Sequence, residues 1–205
     1  MSKALVDLLK NAFPAAVLET HAQHGDETVV LDAARWHDVA RFLKTAPEAD
    51  MNMLVDLTAV DYPDREPRFE VVAHFYSLAK GHRIRLKARV GDLAGRKVRI
   101  ASLSDLWASA NWLERECWDM LGVVFEGHPD LRRILLYPEF EGHPLRKDYP
   151  ADHIQPLVEY RDAPSIDKVP PFRADEGMSF GRQTFDRPPS PDSPDSELFP
   201  DPKAN

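Results

Sequence analysis

Arg83-Ile84-Arg85-Leu86-Lys87-Ala88-Arg89-Val90 alternates basic and apolar residues without a break, and this stretch decides the fold. A strict period of two predicts a β-strand over His82–Val90 with one apolar face and one wholly basic face. Upstream, Arg68 to Ser77 and Met51 to Val60 carry the same β-rich character. They are divided by a Pro/Asp-rich turn at 61–67 and by a turn at Gly81, so the three runs read as a meander. Before them, Leu5, Leu8, Leu9 and Ala12 lie at helical spacing and Pro14 closes the segment. Ala15 to Glu19 and Thr28 to Leu31 flank a polar, Gly-containing hairpin stretch at 21–27. Asp32 reads as an N-cap for a second helix with Trp36, Val39, Ala40 and Leu43 on one stripe. The order is α-β-β-α-β-β-β, an α+β two-layer sandwich.

Val98 to Ala101 adds a short strand, and helix signals resume at Ser104. Ser104 and Asn111 are both candidate N-caps, and Glu114, three residues after Asn111, suits a capping box. Trp112, Leu113, Cys117, Met120 and Leu121 form a buried helix face that Gly122 terminates. Beyond Pro144 the periodicity stops, for twelve of the eighteen prolines lie from that residue onward. The expected organisation is a domain over residues 1–150 and an extended proline-rich C-terminal tail over 151–205. Apolar anchors such as Ile154, Leu157, Phe172 and Phe185 suit a chain that wraps a partner.

Composition narrows the function. At 205 residues and 43% hydrophobic, the chain can bury one real core. It has no apolar run of the ~18 to 20 residues needed to span a membrane. Asp7 and Lys10 interrupt the N-terminal segment before it resembles a signal peptide, so a cytoplasmic chain is expected. The lone Cys117 excludes a disulfide framework and a four-thiolate zinc or iron-sulfur site built from this chain alone. As part of the helix's buried face, it reads as an inert core thiol. A net charge of −8 and a basic strand without interleaved aromatics argue against nucleic acid. The basic strand is read first as a solvated face and second as a surface for an acidic protein.

Phe125-Glu126-Gly127-His128-Pro129 recurs as Phe140-Glu141-Gly142-His143-Pro144, each copy followed by a basic pair, Arg132-Arg133 and Arg146-Lys147. Gly, His-Pro and paired cations describe shaped, charged loops. A small metal-dependent hydrolase using His128, His143 and nearby carboxylates is the rival reading. However, Glu114 and Glu116 do not share a helix face, and neither a helical histidine pair nor a Gly-flanked nucleophilic Ser is present. In the favoured reading Glu114 caps its helix, Glu116 and Asp119 face Arg115, Arg132 or Arg133, and the histidines bond within their turns. The loops then present a docking surface, with Glu114, Arg115, Glu116, Asp119, His128, Arg132, Arg133, His143, Arg146, Lys147 and Asp148 as candidates. No catalytic, cofactor-binding or metal-ligating residue is assigned.

Together, Glu114-Arg115-Glu116, Asp119-Met120-Leu121-Gly122, the run from His128 to Leu135 and Gly142-His143-Pro144-Leu145-Arg146-Lys147-Asp148-Tyr149-Pro150 resemble the 30-kDa subunit, also called the C subunit, of bacterial NADH-quinone oxidoreductase. The resemblance extends upstream through Leu57-Thr58-Ala59-Val60-Asp61-Tyr62-Pro63, Phe69-Glu70-Val71-Val72 and Ala110-Asn111-Trp112-Leu113. It implies a cofactor-free structural subunit of the hydrophilic arm of respiratory complex I, whose FMN and iron-sulfur clusters belong to other subunits. The implied partners are the quinone-pocket subunit (D), along which the tail would reach, and the subunit bearing the terminal iron-sulfur cluster (B). The implied location is peripheral, on the cytoplasmic face of the bacterial inner membrane. Membrane-bound hydrogenases and related complexes carry similar subunits.

Overall fold

A computed structural model describes residues 3–158 of the chain, and residues 159–205 of the expected tail lie outside the described residues. Helix α1 (Lys3–Ala12) leads into the hairpin β1 (Val17–Gln23) and β2 (Asp26–Leu31). The hairpin is tighter than its polar sequence suggests, with Gln23 opposite Asp26 across a two-residue turn. His24 and Gly25 both take positive φ, 57° and 82°, the geometry that matches the twist of paired strands. Asp32 accepts a bond from the Ala34 N–H at 3.0 Å and starts a short 3-10 turn that runs into α2 (Trp36–Thr45).

The meander follows as β3 (Met53–Asp61), β4 (Phe69–Ser77) and β5 (His82–Val90). Its antiparallel register is continuous from β4 to β5, with Phe69 opposite Val90 and Ser77 opposite His82. β2 joins the far side of β5 in parallel, giving the order β1-β2-β5-β4-β3. β4 is thus central and is buried on both sides, through Phe69, Val71, Ala73 and Phe75 on one and Glu70 and Val72 on the other.

The inner side chains of β3 to β5 share one core with Leu5 and Leu9 of α1 and with Trp36, Val39, Ala40 and Leu43 of α2. Trp36 is fully buried, and its replacement by Ala would cost about 3–5 kcal/mol through lost transfer energy and a residual cavity. Trp107 also enters the core, 4.9 Å from the Phe75 ring, and donates its indole N–H to the Met51 carbonyl. Among the described residues, no helix is long and apolar enough to cross a membrane.

On the outer side of the sheet, the basic row of β5 does not stand free. Lys87 reaches Glu70 at 2.7 Å, Arg89 holds both oxygens of Glu19, and Arg83 and Arg85 share Asp26. Alternation predicted the basic row, but the carboxylates facing it come from β1, β2 and β4. Sequence periodicity within one strand carries no information about them.

The segment after the meander differs from expectation. β6 (Arg99–Ala101) pairs in parallel with β7 (Val124–Glu126), joined through α3 (Ala110–Leu121). Phe125 and Glu126, expected to open a loop, instead form a strand, with Phe125 buried. The α3 N-cap is Ser109, whose hydroxyl donates to the Leu54 carbonyl and accepts no bond from the helix N–H groups. Glu114 does not cap its own helix. Ala110, Glu114, Cys117 and Leu121 line one face at helical spacing, so the carboxylate points inward and cannot turn back to the N-terminus.

The described backbone runs on past Pro150 to Val158. Gln155 ties this extension back through paired bonds to the backbone of Glu141, at 2.8 and 3.0 Å.

Candidate functional site

The last four carbonyls of an α-helix lack intrahelical partners and must be satisfied from outside. In α3 the second FEGHP copy and the residues after it do this work. His143 Nδ1–H donates to the Asp119 carbonyl at 3.0 Å, the Leu145 N–H to Met120 at 3.0 Å, and Arg146 Nε to Leu121 at 2.7 Å. A carbonyl can only accept, so the His143 proton must sit on Nδ1. Gly122 closes the helix in the left-handed region, φ 76°. Any larger residue there would place a Cβ 2.6 Å from the His143 ring and 2.7 Å from Arg146. The helix stop and the loop's close approach both require this glycine.

Asp119 anchors the intervening loop. One carboxylate oxygen accepts from Arg133 at 2.7 Å, and the other accepts the N–H groups of Ile134, Leu135 and Leu136 at 2.9–3.0 Å. Burial alone would raise its pKa, but these donors outweigh burial and hold the carboxyl below its ordinary range. Arg133 also donates to the carbonyls of Phe140 and Gly142, so one guanidinium links Asp119 to the second repeat. Arg115 donates to the carbonyls of Arg132 and Arg133.

The first FEGHP copy holds the opposite end of α3. The Asp130 N–H donates to His128 Nδ1, which leaves the proton on Nε2 to bond the Asn111 carbonyl at 3.0 Å. Both histidines thus bond the helix backbone, and neither is confined to its own turn as expected.

A second buried carboxylate fastens the far end of the signature to the sheet. Arg68 binds both oxygens of Asp61, at 2.6 and 2.7 Å, and reaches Asp148 at 2.9 Å. The Lys147 N–H adds a bond to Asp61 at 2.8 Å, while Arg146 lies over the Phe69 ring. Burial would raise Asp61, but the Arg68 and Lys147 bonds lower it overall. Asp61 and Arg68 were not among the expected site residues. Their signal is positional, since they flank one tight turn at the ends of adjacent antiparallel strands.

Glu114 is fully buried and accepts from Ser102 Oγ and the Leu103 N–H, both at 2.6 Å. Burial raises its pKa to about 7, although the two bonds pull it back and nearby Asp105 adds to the rise. Burial also pushes the Cys117 thiol up, which makes it a poor nucleophile.

The eleven docking candidates therefore divide. The Glu114 and Asp119 side chains are buried and committed internally, so they shape the surface without forming it. Arg115, His128, Arg133, His143, Arg146 and Asp148 spend donors or acceptors on the clamp. Glu116, Arg132 and Lys147 remain exposed, beside Trp112 at 69%, Leu135 at 62% and Leu145 at 56% exposure. Among the described residues, no group of three or more His, Cys, Asp or Glu could hold a metal ion. This geometry gives the hydrolase reading no ligand set.

The fold and site define a small α+β domain whose C-terminal signature is held in shape by the buried carboxylates Asp119 and Asp61. Residues 29–155 match the family described as "Respiratory-chain NADH dehydrogenase, 30 Kd subunit". The chain is 46% identical over 146 residues to the C subunit of NADH-quinone oxidoreductase from Rhodopseudomonas palustris (strain BisB18), covering 71% of each chain. It is 49% identical over 142 residues to the C subunit from Roseiflexus castenholzii (strain DSM 13941 / HLO8), covering 69% of this chain and 80% of that one. A solved trypsin-resistant fragment of Nqo5 (1-134) aligns at TM-score 0.53 and 33% identity, over 62% of this chain and 98% of the fragment. A chain of an archaeal membrane-bound sulfane sulfur reductase shares the fold at TM-score 0.61 and 24% identity, over 79% of this chain and 98% of its own. The chain belongs to the 30-kDa subunit family of respiratory-chain NADH dehydrogenase, the family of the NADH-quinone oxidoreductase C subunits.

Proposed function

We propose that the chain is a cofactor-free structural subunit of the hydrophilic arm of an NADH-quinone oxidoreductase, and that it has no turnover by itself. It holds the quinone-pocket subunit and the subunit bearing the terminal iron-sulfur cluster in register, so that electron-transfer distances stay short. FMN and the clusters belong to the other subunits, and the complex couples NADH oxidation and quinone reduction to proton translocation. The chain is peripheral, at the cytoplasmic face of the bacterial inner membrane.

The observation that carries this reading is the self-satisfied signature between Glu114 and Asp148. Glu114, Asp119, His128 and His143 are spent on internal hydrogen bonds, which leaves a pre-shaped surface of exposed charged and apolar residues. A rigid surface of that kind loses little conformational entropy on association. Exposed Glu116, Lys147 and Arg132, the last in a solvated bridge to Asp130, are the charges that meet a partner, with Trp112, Leu135 and Leu145 as apolar anchors. Residues 159–205 are proposed to run along the quinone-pocket subunit.

The test replaces both Arg132 and Lys147 by Ala and measures recovery of intact complex from membranes together with melting of the isolated chain. Reduced recovery with unchanged melting supports the docking role. Full recovery removes it.

A further inference from the structure

The outer face of the five-stranded sheet is built in rows, and the rows are not alike. Register places Val60, Glu70 and Arg89 in one row and Thr58, Val72, Lys87, Val30 and Glu19 in the next. Those two rows neutralise themselves through Lys87–Glu70 and Arg89–Glu19. The two rows nearest the β4–β5 turn are Asp56, His74, Arg85 and Thr28, then Met53, Tyr76 and Arg83. Here the surface sinks into an open trough of about 540 Å³ lined by residues of β2, β3, β4 and β5.

Two properties of the trough point to an occupant. Its β3 side and the adjoining β4–β5 turn are apolar and exposed, with Met53 at 42%, Val55 at 51% and Leu78 at 68% exposure. Val55 is displayed because the β3 register slips between Leu54 and Asp56, a bulge that re-aims a side chain. The second property is unbalanced charge. Arg83 and Arg85 both pair with Asp26, whereas Glu27 and Asp56 on the trough have no ion pair among the described residues. His74 lies directly opposite Asp56 but does not neutralise it. Burial, with help from Arg85 and Arg83, holds His74 below its usual pKa, against Asp56 and Asp26. Four strands at ~4.8 Å spacing make the trough about 14 Å across, enough for several residues of a crossing chain.

We propose that this trough is a second interaction surface, which receives a segment of another subunit presenting an aliphatic or aromatic side chain beside a Lys or Arg. The apolar side chain covers Val55, Met53 and Leu78, and the cation meets Asp56. This inference rests on the chain acting within a multi-subunit complex, but it concerns the outer sheet face and not the clamp surface around α3.

The test places a photo-crosslinking amino acid at Val55 and, separately, at Leu78 of the full chain in the complex purified from membranes, with Ala22 on β1 as the control position. Adducts from both trough positions should map to one segment of another subunit with a Lys or Arg within two residues of an apolar side chain. Asp56→Lys should cut adduct yield about tenfold, while Asp56→Asn should cut it less. If the chain co-purifies with NADH-quinone reductase activity but gives no inter-chain adduct from either position, the trough proposal is overturned and the assembly reading stands. Adducts on a segment lacking a nearby cation, or yields indifferent to Asp56→Lys, overturn it equally. Loss of the chain from the active complex in every variant, the control included, overturns both readings.

Discussion

The two FEGHP copies share five residues and a positive-φ glycine, φ 86° in each, yet they do unequal work. The first copy starts within β7, where Phe125 is buried, but its loop residues touch the start of α3 through one histidine bond, with Gly127, Pro129 and Asp130 exposed around it. The second copy is built into the molecule. His143, Leu145 and Arg146 satisfy three terminal carbonyls of α3, Arg133 spans from Asp119 to the loop backbone, and Asp61 and Arg68 fasten its far end. Identical words in a sequence thus acquire different energetic weight from what lies beneath them. Here the difference is the C-terminus of a helix, which needs donors, against an N-terminal carbonyl that needs far less.

The largest expected effect comes from removing the anchor of the second copy. Asp119→Ala leaves the Arg133 charge and three backbone N–H groups without their acceptor, and should cost about 3–5 kcal/mol by denaturant unfolding. Asp130→Ala, its exposed counterpart beside the first copy, should cost less than about 1 kcal/mol because its bridge to Arg132 is solvated. Similar losses for the two variants would erase the asymmetry.

Glu114, under the helix that both copies hold, gives the next effect, and its sign opposes that of the clamp carboxylates. Its folded pKa of about 7 lies above the ordinary 4.5, so its contribution is complete below about 4.5 and is lost as pH rises through about 7. The loss is on the order of 3 kcal/mol. Asp61 and Asp119 are depressed, so their contribution is present above about 4 and disappears as acid protonates them. Thermal melts should therefore peak in mildly acid buffer. Glu114→Gln should flatten the alkaline limb and leave the acid limb unchanged.

A glycine pair sharpens the comparison further. A Cβ on Gly127 would meet nothing, while one on Gly142 would lie 2.9 Å from the Tyr149 ring. Gly127→Ala should cost about 1 kcal/mol for backbone strain alone. Gly142→Ala should cost more than that, with the excess removed in a Tyr149→Ala background.

These contrasts also mark how far the sequence could be read. The meander was legible because one face of β5 is buried and period two is strict. The first two helices were legible from their apolar stripes and Gly122 from its place after α3, but Trp112, read as part of the buried face of α3, stands exposed. The parallel pairing of β2 with β5 was not legible, since nothing local in Thr28 to Leu31 names its neighbour. Glu114 misled because a capping box and an inward-facing buried carboxylate share the same spacing from Asn111. The signature was legible as a loop-rich region, but the division of its residues into buried and exposed side chains needed the third dimension. Asp119 and Lys147 look equally available in a string of letters.

The most direct measurement is equilibrium unfolding of His128→Ala and His143→Ala side by side. His143 lies against Gly122 and packs edge-on to Trp118 with ring centroids 6.1 Å apart, so its loss removes both a helix-end donor and buried packing. The prediction is about 2–3 kcal/mol for His143→Ala against about 1 kcal/mol for His128→Ala. Equal costs, or a larger cost at His128, would contradict the claim that the second copy holds the signature in shape.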